Sequence, residues 1–272
     1  MRPFRIVHFS DIHEALPMRM PGGFFDKRIV GAMNSILSRR KLHRREYIRL
    51  AVERILADAP DLIVFSGDAV TCGQPSEFRL ALADLKPLTD SGIPLVFSPG
   101  NHDAYVRSRT CREAYHAFIG EVTNGLQSPG SYPYARNFGP LRFLVFNAAR
   151  PTNPVLSCGF LDETARNLIR SECSEKTSPL VAVCHFPFRR IRKGLVNGFR
   201  HRLFGAGEAA ALLNAGRLDL VLCGHIHAPY FDLDATGRGE TSCGSLTRHG
   251  AYSVIEYADG VFRHSRTVLS ES

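Results

Sequence analysis

Six short apolar runs recur along the chain, at residues 4–9, 62–65, 95–97, 141–146, 180–184 and 218–223. Each is predicted to be a buried strand. Between several of them the apolar positions change period. Ile48, Val52, Ile55 and Leu56 share one face and predict a helix over about residues 45–58. Phe78, Leu82 and Leu85 predict a second helix, ending before Ser91-Gly92. Asp162 is placed to cap a third, running to about Glu172. After Leu218 the pattern is mostly β and closes on a hairpin of 252–257 and 261–268 around Asp259-Gly260. There is no internal repeat, low-complexity tract or linker, so residues 1–272 are expected to form a single α/β domain.

Two segments break this rhythm. Residues 17–41 are rich in Met, Gly and Phe and lead into the basic run Arg39-Arg40-Lys41-Leu42-His43-Arg44-Arg45. Residues 189–202 carry a second run, Arg189-Arg190-Ile191-Arg192-Lys193, followed by Arg200-His201-Arg202. A solvated face explains most such runs. The functional alternative is a surface for anions or anionic lipid, since both mix cations with Phe and Leu.

Composition adds exclusions. With 44% hydrophobic and 22% charged residues, the chain is unlike a disordered, collagenous or coiled-coil sequence. No stretch reaches the roughly 18 apolar residues needed to span a bilayer. The N-terminus meets Asp11 too early for a signal-peptide core, so a cytoplasmic protein is expected. Seven scattered cysteines without a CxxC pair read as reduced thiols, Cys184 and Cys223 being buried ones. The formal charge of +8 favours phosphates, nucleic acid or anionic lipid without choosing among them.

The candidate chemistry lies at strand ends. Asp11-Ile12-His13 follows the first run, Gly67-Asp68 the second and Gly100-Asn101-His102-Asp103 the third; His185 and Gly224-His225-Ile226-His227 follow the last two. Ligands of open α/β sheets bind where strands end, so these side chains should converge on one rim. If their stretches stay extended, Asp11 and His13 point to one side, as do His225 and His227. Imidazole, carboxylate and amide oxygen suit Mn, Fe, Zn, Co or Ni, and no thiolate joins them. Two divalent ions carry +4 against −2 from Asp11 and Asp68, leaving a positive site for hydroxide and an anionic substrate. Two ions about 3.5–4 Å apart suit in-line displacement at phosphorus. Gly67, Gly100 and Gly224 allow tight bends beside the ions.

In that order the motifs resemble those of the calcineurin-like metallophosphoesterases, DxH…GD…GNHD…H…GHxH, and the likeness extends from Asp11 to His227. The resemblance implies a four-layer α/β/β/α sandwich with a small insertion after the first strand, 17–41 and 189–202 lying over the active-site rim. It implies two divalent metal ions, manganese foremost, with Fe, Zn, Co or Ni as alternatives. Asp11, His13 and His227 would hold one ion, Asn101, His185 and His225 the other, and Asp68 would bridge them. A metal-activated hydroxide would attack a phosphodiester or pyrophosphate. His102 would stabilise the transition state or protonate the leaving oxygen, a task suited to an imidazole, and Asp103 would orient its ring. One departure is Cys184-His185-Phe186-Pro187, where many relatives carry two consecutive histidines. His8, His43, His116, His201 and His264 read as ordinary structural histidines, whereas His249 is a candidate for the rim.

For the substrate, the segment with Phe24, Phe25, Ile29, Val30, Met33, Ile36 and Leu37 resembles stretches in the UDP-2,3-diacylglucosamine pyrophosphatases of lipid A synthesis. Such a lipid-nucleotide substrate implies peripheral contact with the anionic inner face of the membrane. A cyclic-nucleotide phosphodiesterase is the parallel reading. A DNA nuclease fits less well, since little chain follows His227 and no aromatic ladder is evident, so no stable nucleic-acid complex is expected. A non-catalytic scaffold would not keep the whole ligand set.

Overall fold

The apolar runs are continuous because their strands are covered on both faces. Along β1 (Phe4–Phe9), Ile6 enters one hydrophobic cluster while Val7 and Phe9 enter another. The same alternation holds in β2 (Leu62–Phe65) and β3 (Leu95–Phe97). It recurs in β5 (Leu141–Val145), β7 (Leu180–Val183) and β9 (Leu220–Cys223). One cluster is therefore shared between two sheets, and the other joins their remaining residues to the helices. The computed structural model describes residues 2–16, 43–153, 156–189 and 195–270.

The first sheet has the order β13-β12-β1-β2-β3, with β12 (Ala251–Ala258) antiparallel to β1 and β13 (Val261–Val268) at its edge. The second sheet runs β10-β11-β9-β7-β5-β4, with β4 (Tyr134–Phe138), β10 (Tyr230–Leu233) and β11 (Gly239–Ser242) joining the predicted strands. A small pair, β6 (Gly159–Phe160) and β8 (Leu203–Phe204), stands apart. Strands β1, β2 and β3 are parallel, and so are β5, β7 and β9. Each triplet therefore delivers its C-terminal ends to one edge.

The three predicted helices form close to where the sequence places them. Helix α1 (Glu46–Asp58) buries Ile48, Val52 and Ile55, and α2 (Pro75–Asp90) buries Phe78 and Leu85. Helix α3 (Arg109–Val122) was not anticipated, although Cys111, Tyr115, Phe118 and Val122 carry a helical stripe. Helix α4 (Glu163–Ser174) starts where Asp162 accepts a hydrogen bond from the Ala165 amide at 3.0 Å. Further helices are α5 (Leu195–Arg200), α6 (Gly207–Asn214) and α7 (Leu246–His249). The closing hairpin turns through Asp259 and Gly260, both with positive φ (51° and 80°), as a two-residue turn requires. The expected 17–41 insertion and its apolar face lie outside the described residues. Within 189–202, the described part contains α5. All seven cysteines are buried thiols outside any disulfide. Among the described residues no helix is long and apolar enough to cross a membrane.

Candidate metal centre

Five loops meet at the shared edge of the two sheets. After β1, the Asp11 and His13 amides donate to the carbonyls of Gly67 and Asp68 at 2.9 and 3.0 Å, tying the first loop to the second. The Gly224 amide donates to the His185 carbonyl at 2.9 Å, tying the loops of the other sheet. The His225 amide reaches Asp11 Oδ2 at 3.2 Å and joins the two pairs. The backbone there is not extended. Asp11, His13, Asp68, His225 and His227 all have φ between 50° and 68°, in the left-handed region. Such a conformation costs a non-glycine residue about 1 kcal/mol or more and persists where neighbouring contacts fix it. Asp11 and His13 still converge, His13 Nε2 lying 3.6 Å from Asp11 Oδ1.

Four of the candidate ligands come together closely, and His185 adjoins them. Asp11, His13, Asp68 and His227 present donor atoms that all lie within 4.8 Å of one another. The Nε2 atoms of His13 and His227 are 2.8 Å apart, and His227 Nε2 is 3.2 Å from Asp11 Oδ1. Asp68 Oδ2 lies 3.7 Å from His13 Nε2 and 3.3 Å from His185 Nε2. The His185 and His225 rings are 5.1 Å apart, and Asn101 is buried beside His102.

Several of these atoms are oriented for a cation. His185 Nδ1 is 2.6 Å from the Ser66 carbonyl, which can only accept, so Nδ1 keeps its hydrogen and Nε2 is the nitrogen that can turn a lone pair to an ion once its proton is lost. Asp11 Oδ1, Asn101 Oδ1, His185 Nε2 and His225 Nε2 are buried without a hydrogen-bond partner among the described residues. Leaving such atoms unpaired costs about 1–3 kcal/mol each, which bound cations would offset. The charges agree. Burial opposes ionisation, yet His227 and His13 hold Asp11 well below the carboxylate range, and His185 and His102 do the same for Asp68. Burial also works against a charged His185, but the Asp68 carboxylate prevails and raises its pKa to about 9. Burial, with His185 and His201 nearby, pushes His225 well down. Two carboxylates thus draw a proton into a site whose donor set suits borderline divalent metals.

Glycine makes the close approach of these loops feasible at two points. A Cβ on Gly100 would stand 2.2 Å from Asp68 Oδ1, and one on Gly224 would stand 2.0 Å from Ser10 Oγ and 2.5 Å from Asp11 Oδ2.

His102 sits at the cluster with its ring 4.9 Å from that of His13. Its amide donates to Asp68 Oδ1 at 2.8 Å, and its Nδ1–H donates to the Thr71 carbonyl at 2.6 Å. Asp103 is placed differently from the expectation that it orients this ring. Its Oδ2 accepts from the Asp68 and Gly100 amides, both at 2.9 Å, and its Oδ1 from Ala69 at 2.8 Å, with Val70 at 3.4 Å. It therefore braces the two loops that carry Asp68 and Asn101, while Thr71 orients His102. Burial and the Asp68 charge push Asp103 up to about 7, against the pull of these amides.

Two histidines read as structural also border the centre. The His43 ring is 5.3 Å from His13 and 5.8 Å from His227, and the His201 ring is 5.3 Å from His225. Their sequence signal was position, His43 just beyond the 17–41 segment and His201 near the end of 189–202, both expected over the rim. His249 adjoins the rim, the lesser of its two sequence readings, its Nε2–H donating to the His227 carbonyl at 2.6 Å. His8 is structural as read; it bonds Ser66 Oγ at 2.8 Å, and burial lowers its pKa to about 3.

Comparison with known proteins shows the family and the fold. The sequence matches the family described as calcineurin-like phosphoesterase over residues 4–229. A stretch of 48 residues is 46% identical to the glycerophosphodiester phosphodiesterase GpdQ of Enterobacter lignolyticus, covering 18% of this chain and 16% of that protein. A dimetal phosphatase from Danio rerio superimposes with a TM-score of 0.68 at 13% identity, over 99% of this chain and 100% of its own. A purple acid phosphatase from yellow lupin seeds gives 0.58 at 13% identity, over 96% of this chain and 51% of its own. At such identities the structural likeness is one of fold.

Proposed function

We propose that this chain, which belongs to the calcineurin-like phosphoesterase family and is a phosphoester hydrolase, cleaves phosphodiesters with two divalent ions at the shared edge of its sheets. Asp11, His13 and His227 would hold one ion, and Asn101, His185 and His225 the other. Asp68 would be shared. The observation that carries this reading is the position of Asp68 Oδ2 between His13 Nε2 and His185 Nε2, one member of each group. The His102 amide restrains the other oxygen, so the carboxylate keeps this orientation.

Bound there, two divalent ions supply Lewis-acid polarisation of the phosphoryl oxygens and a water acidified toward neutrality. The protein supplies the rest. The left-handed loops fix the ligands before substrate arrives, so little reorganisation is left for the reaction. His102 is locked with Nδ1–H on the Thr71 carbonyl, so the proton it delivers to the leaving oxygen travels on Nε2. Asp103 acts at one remove by holding the Asp68 and Gly100 amides.

A diester is favoured over a monoester or pyrophosphate by the local identity with a glycerophosphodiester phosphodiesterase. Manganese is the first ion to test, and residues 1–272 are treated as one catalytic domain in the cytoplasm. The lipid-nucleotide substrate and the membrane contact rest on residues 17–41, outside the described part, and rank behind. The test is hydrolysis by Mn²⁺-loaded protein of bis(p-nitrophenyl) phosphate, cyclic AMP and UDP-2,3-diacylglucosamine in mixed micelles, with Asp68→Asn as the blank. Turnover of the small diesters that vanishes in the blank supports the proposal. Release of UMP from the lipid far faster than either diester is cleaved would replace it with the pyrophosphatase reading.

A further inference from the structure

We infer that Tyr105 is a positioning residue for His102, setting the plane of its ring by stacking so that Nε2 meets the leaving oxygen; this rests on the reading above in which His102 delivers the proton. The two rings lie nearly parallel, at 13°, with their centroids 5.0 Å apart. That is the geometry of offset stacking. Both side chains are buried, so the stack is enclosed by protein.

A proton donor needs its nitrogen in place and its ring in the right plane. The Thr71 carbonyl, 2.6 Å from Nδ1, fixes one atom of the imidazole. The last torsion of a histidine is broad, so a single hydrogen bond still lets the ring rock and carry Nε2 with it. A flat surface against the ring face removes this freedom, and Tyr105 supplies one. The tyrosine is itself held in place. The turn that carries Asn101 and His102 closes where the Asp103 and Ala104 amides donate to the Gly100 carbonyl at 3.2 and 3.3 Å, and Tyr105 follows directly. From the other side, the loop that offers the Thr71 carbonyl packs on Tyr105, since a Cβ on Gly73 would stand 3.2 Å from Tyr105 Cβ. That loop is pinned in turn. Glu77 Oε2 accepts from the Cys72 and Gln74 amides at 2.9 and 3.0 Å, and Thr71 Oγ1 donates to the His13 carbonyl at 3.0 Å. One loop thus holds His102 twice, by its carbonyl directly and by packing on the ring that covers it.

A double-mutant cycle separates this role from general packing. The substrate is diphenyl phosphate, whose phenolate leaves less readily than p-nitrophenolate and so depends more on a proton. Mn²⁺-loaded wild type is compared with Tyr105→Leu, Tyr105→Phe, His102→Ala and the double variant Tyr105→Leu/His102→Ala, by kcat, KM, metal content and melting temperature. We expect Tyr105→Leu to keep its metals and its KM but lose about tenfold in kcat, a misplaced acid forfeiting part of the roughly 10²–10⁴-fold that it can contribute. With His102 already removed, the same substitution should cost almost nothing. Tyr105→Phe keeps the flat ring and should keep kcat. NMR of the metal-free protein with labelled histidine rings gives a second readout: the signal absent from His102→Ala should move in Tyr105→Leu and stay in Tyr105→Phe. An equal kcat loss with and without His102 makes Tyr105 a packing residue and overturns the inference. So does an unchanged kcat, an unmoved ring signal, a loss of metal, or a loss in Tyr105→Phe as large as in Tyr105→Leu. If Tyr105→Leu fails to fold, Tyr105→Met, which fills the space without a plane, takes its place in the cycle. Wild-type kcat in His102→Ala would instead sink the proton-donor reading. Should wild type not cleave the diester, the phosphohydrolase reading fails first, and the inference with it.

Discussion

Replacing Asp103 by Asn tests whether this carboxylate braces loops or orients a catalytic ring. The side chain is fully buried and holds three amides at 2.8–2.9 Å, two on Oδ2 and one on Oδ1. An asparagine oxygen satisfies one side only, and its NH₂ then faces amide hydrogens on the other. With the oxygen toward Asp68 and Gly100, the orientation that keeps more bonds, the bond to Ala69 is lost and its amide hydrogen opposes the NH₂. A hydrogen bond to a charged group contributes about 1.5–3 kcal/mol, so the loss should be about that much or more, a sizeable share of a typical stability of about 5–15 kcal/mol. The loosened loop carries Asp68, so metal affinity should also fall, by about 10–100-fold. Urea denaturation of the metal-free protein and Mn²⁺ titration measure the two effects separately. A variant with wild-type stability and metal affinity but a reduced kcat would refute the brace and restore the expectation that Asp103 acts on His102.

Three further outcomes follow from the same contacts. Gly224→Ala should displace Asp11, since its Cβ would stand 2.5 Å from Oδ2; we expect weaker Mn²⁺ binding in a folded protein, and wild-type affinity would contradict the close approach. Metal uptake should release protons, because His185 is raised to about 9 and must give up its proton to bind; calorimetry in buffers of different ionisation enthalpy at pH 7 should detect about one proton or more, and none would contradict the assignment. Glu240 is buried, accepting from the Phe188 amide at 2.6 Å, the Arg189 amide at 3.2 Å and the Tyr230 hydroxyl at 2.9 Å, and burial raises it from 4.5 to about 7. Its folded state holds the proton longer than the unfolded state. The stability it contributes is complete below pH 4.5 and lost as pH rises through 7, roughly 3 kcal/mol in all. Glu240→Gln should flatten that fall, and an unchanged pH slope would contradict it.

The strands were legible because burial on both faces turns each into a plain apolar run, and the ligands because their types and order are specific. Helix α3 was harder to see, because its stripe opens on Cys111 and Tyr115, which mark a buried face less plainly than Ile or Leu. Strands β10 and β11 carry charged and small residues, Asp232, Glu240 and Gly239 among them, and offer no apolar run. At the site, the letters of Asp11 or His225 do not announce a left-handed backbone. That conformation is imposed by hydrogen bonds between loops distant in sequence, such as His225 to Asp11. Asp103 was recognised by its motif, but its partners are main-chain amides and leave no trace in residue type. His43 and His201 were hidden for a related reason, since only the tertiary fold brings them beside His13 and His225.

The central claim is that hydrolysis depends on two ions sharing Asp68. It is tested most directly by the rate of bis(p-nitrophenyl) phosphate hydrolysis as metal-free protein is titrated with Mn²⁺. A two-ion centre requires the rate to climb until two equivalents per chain are bound and to stay near zero in Asp68→Asn. A rate that is already full without metal, or that saturates at one equivalent, would contradict the dinuclear site.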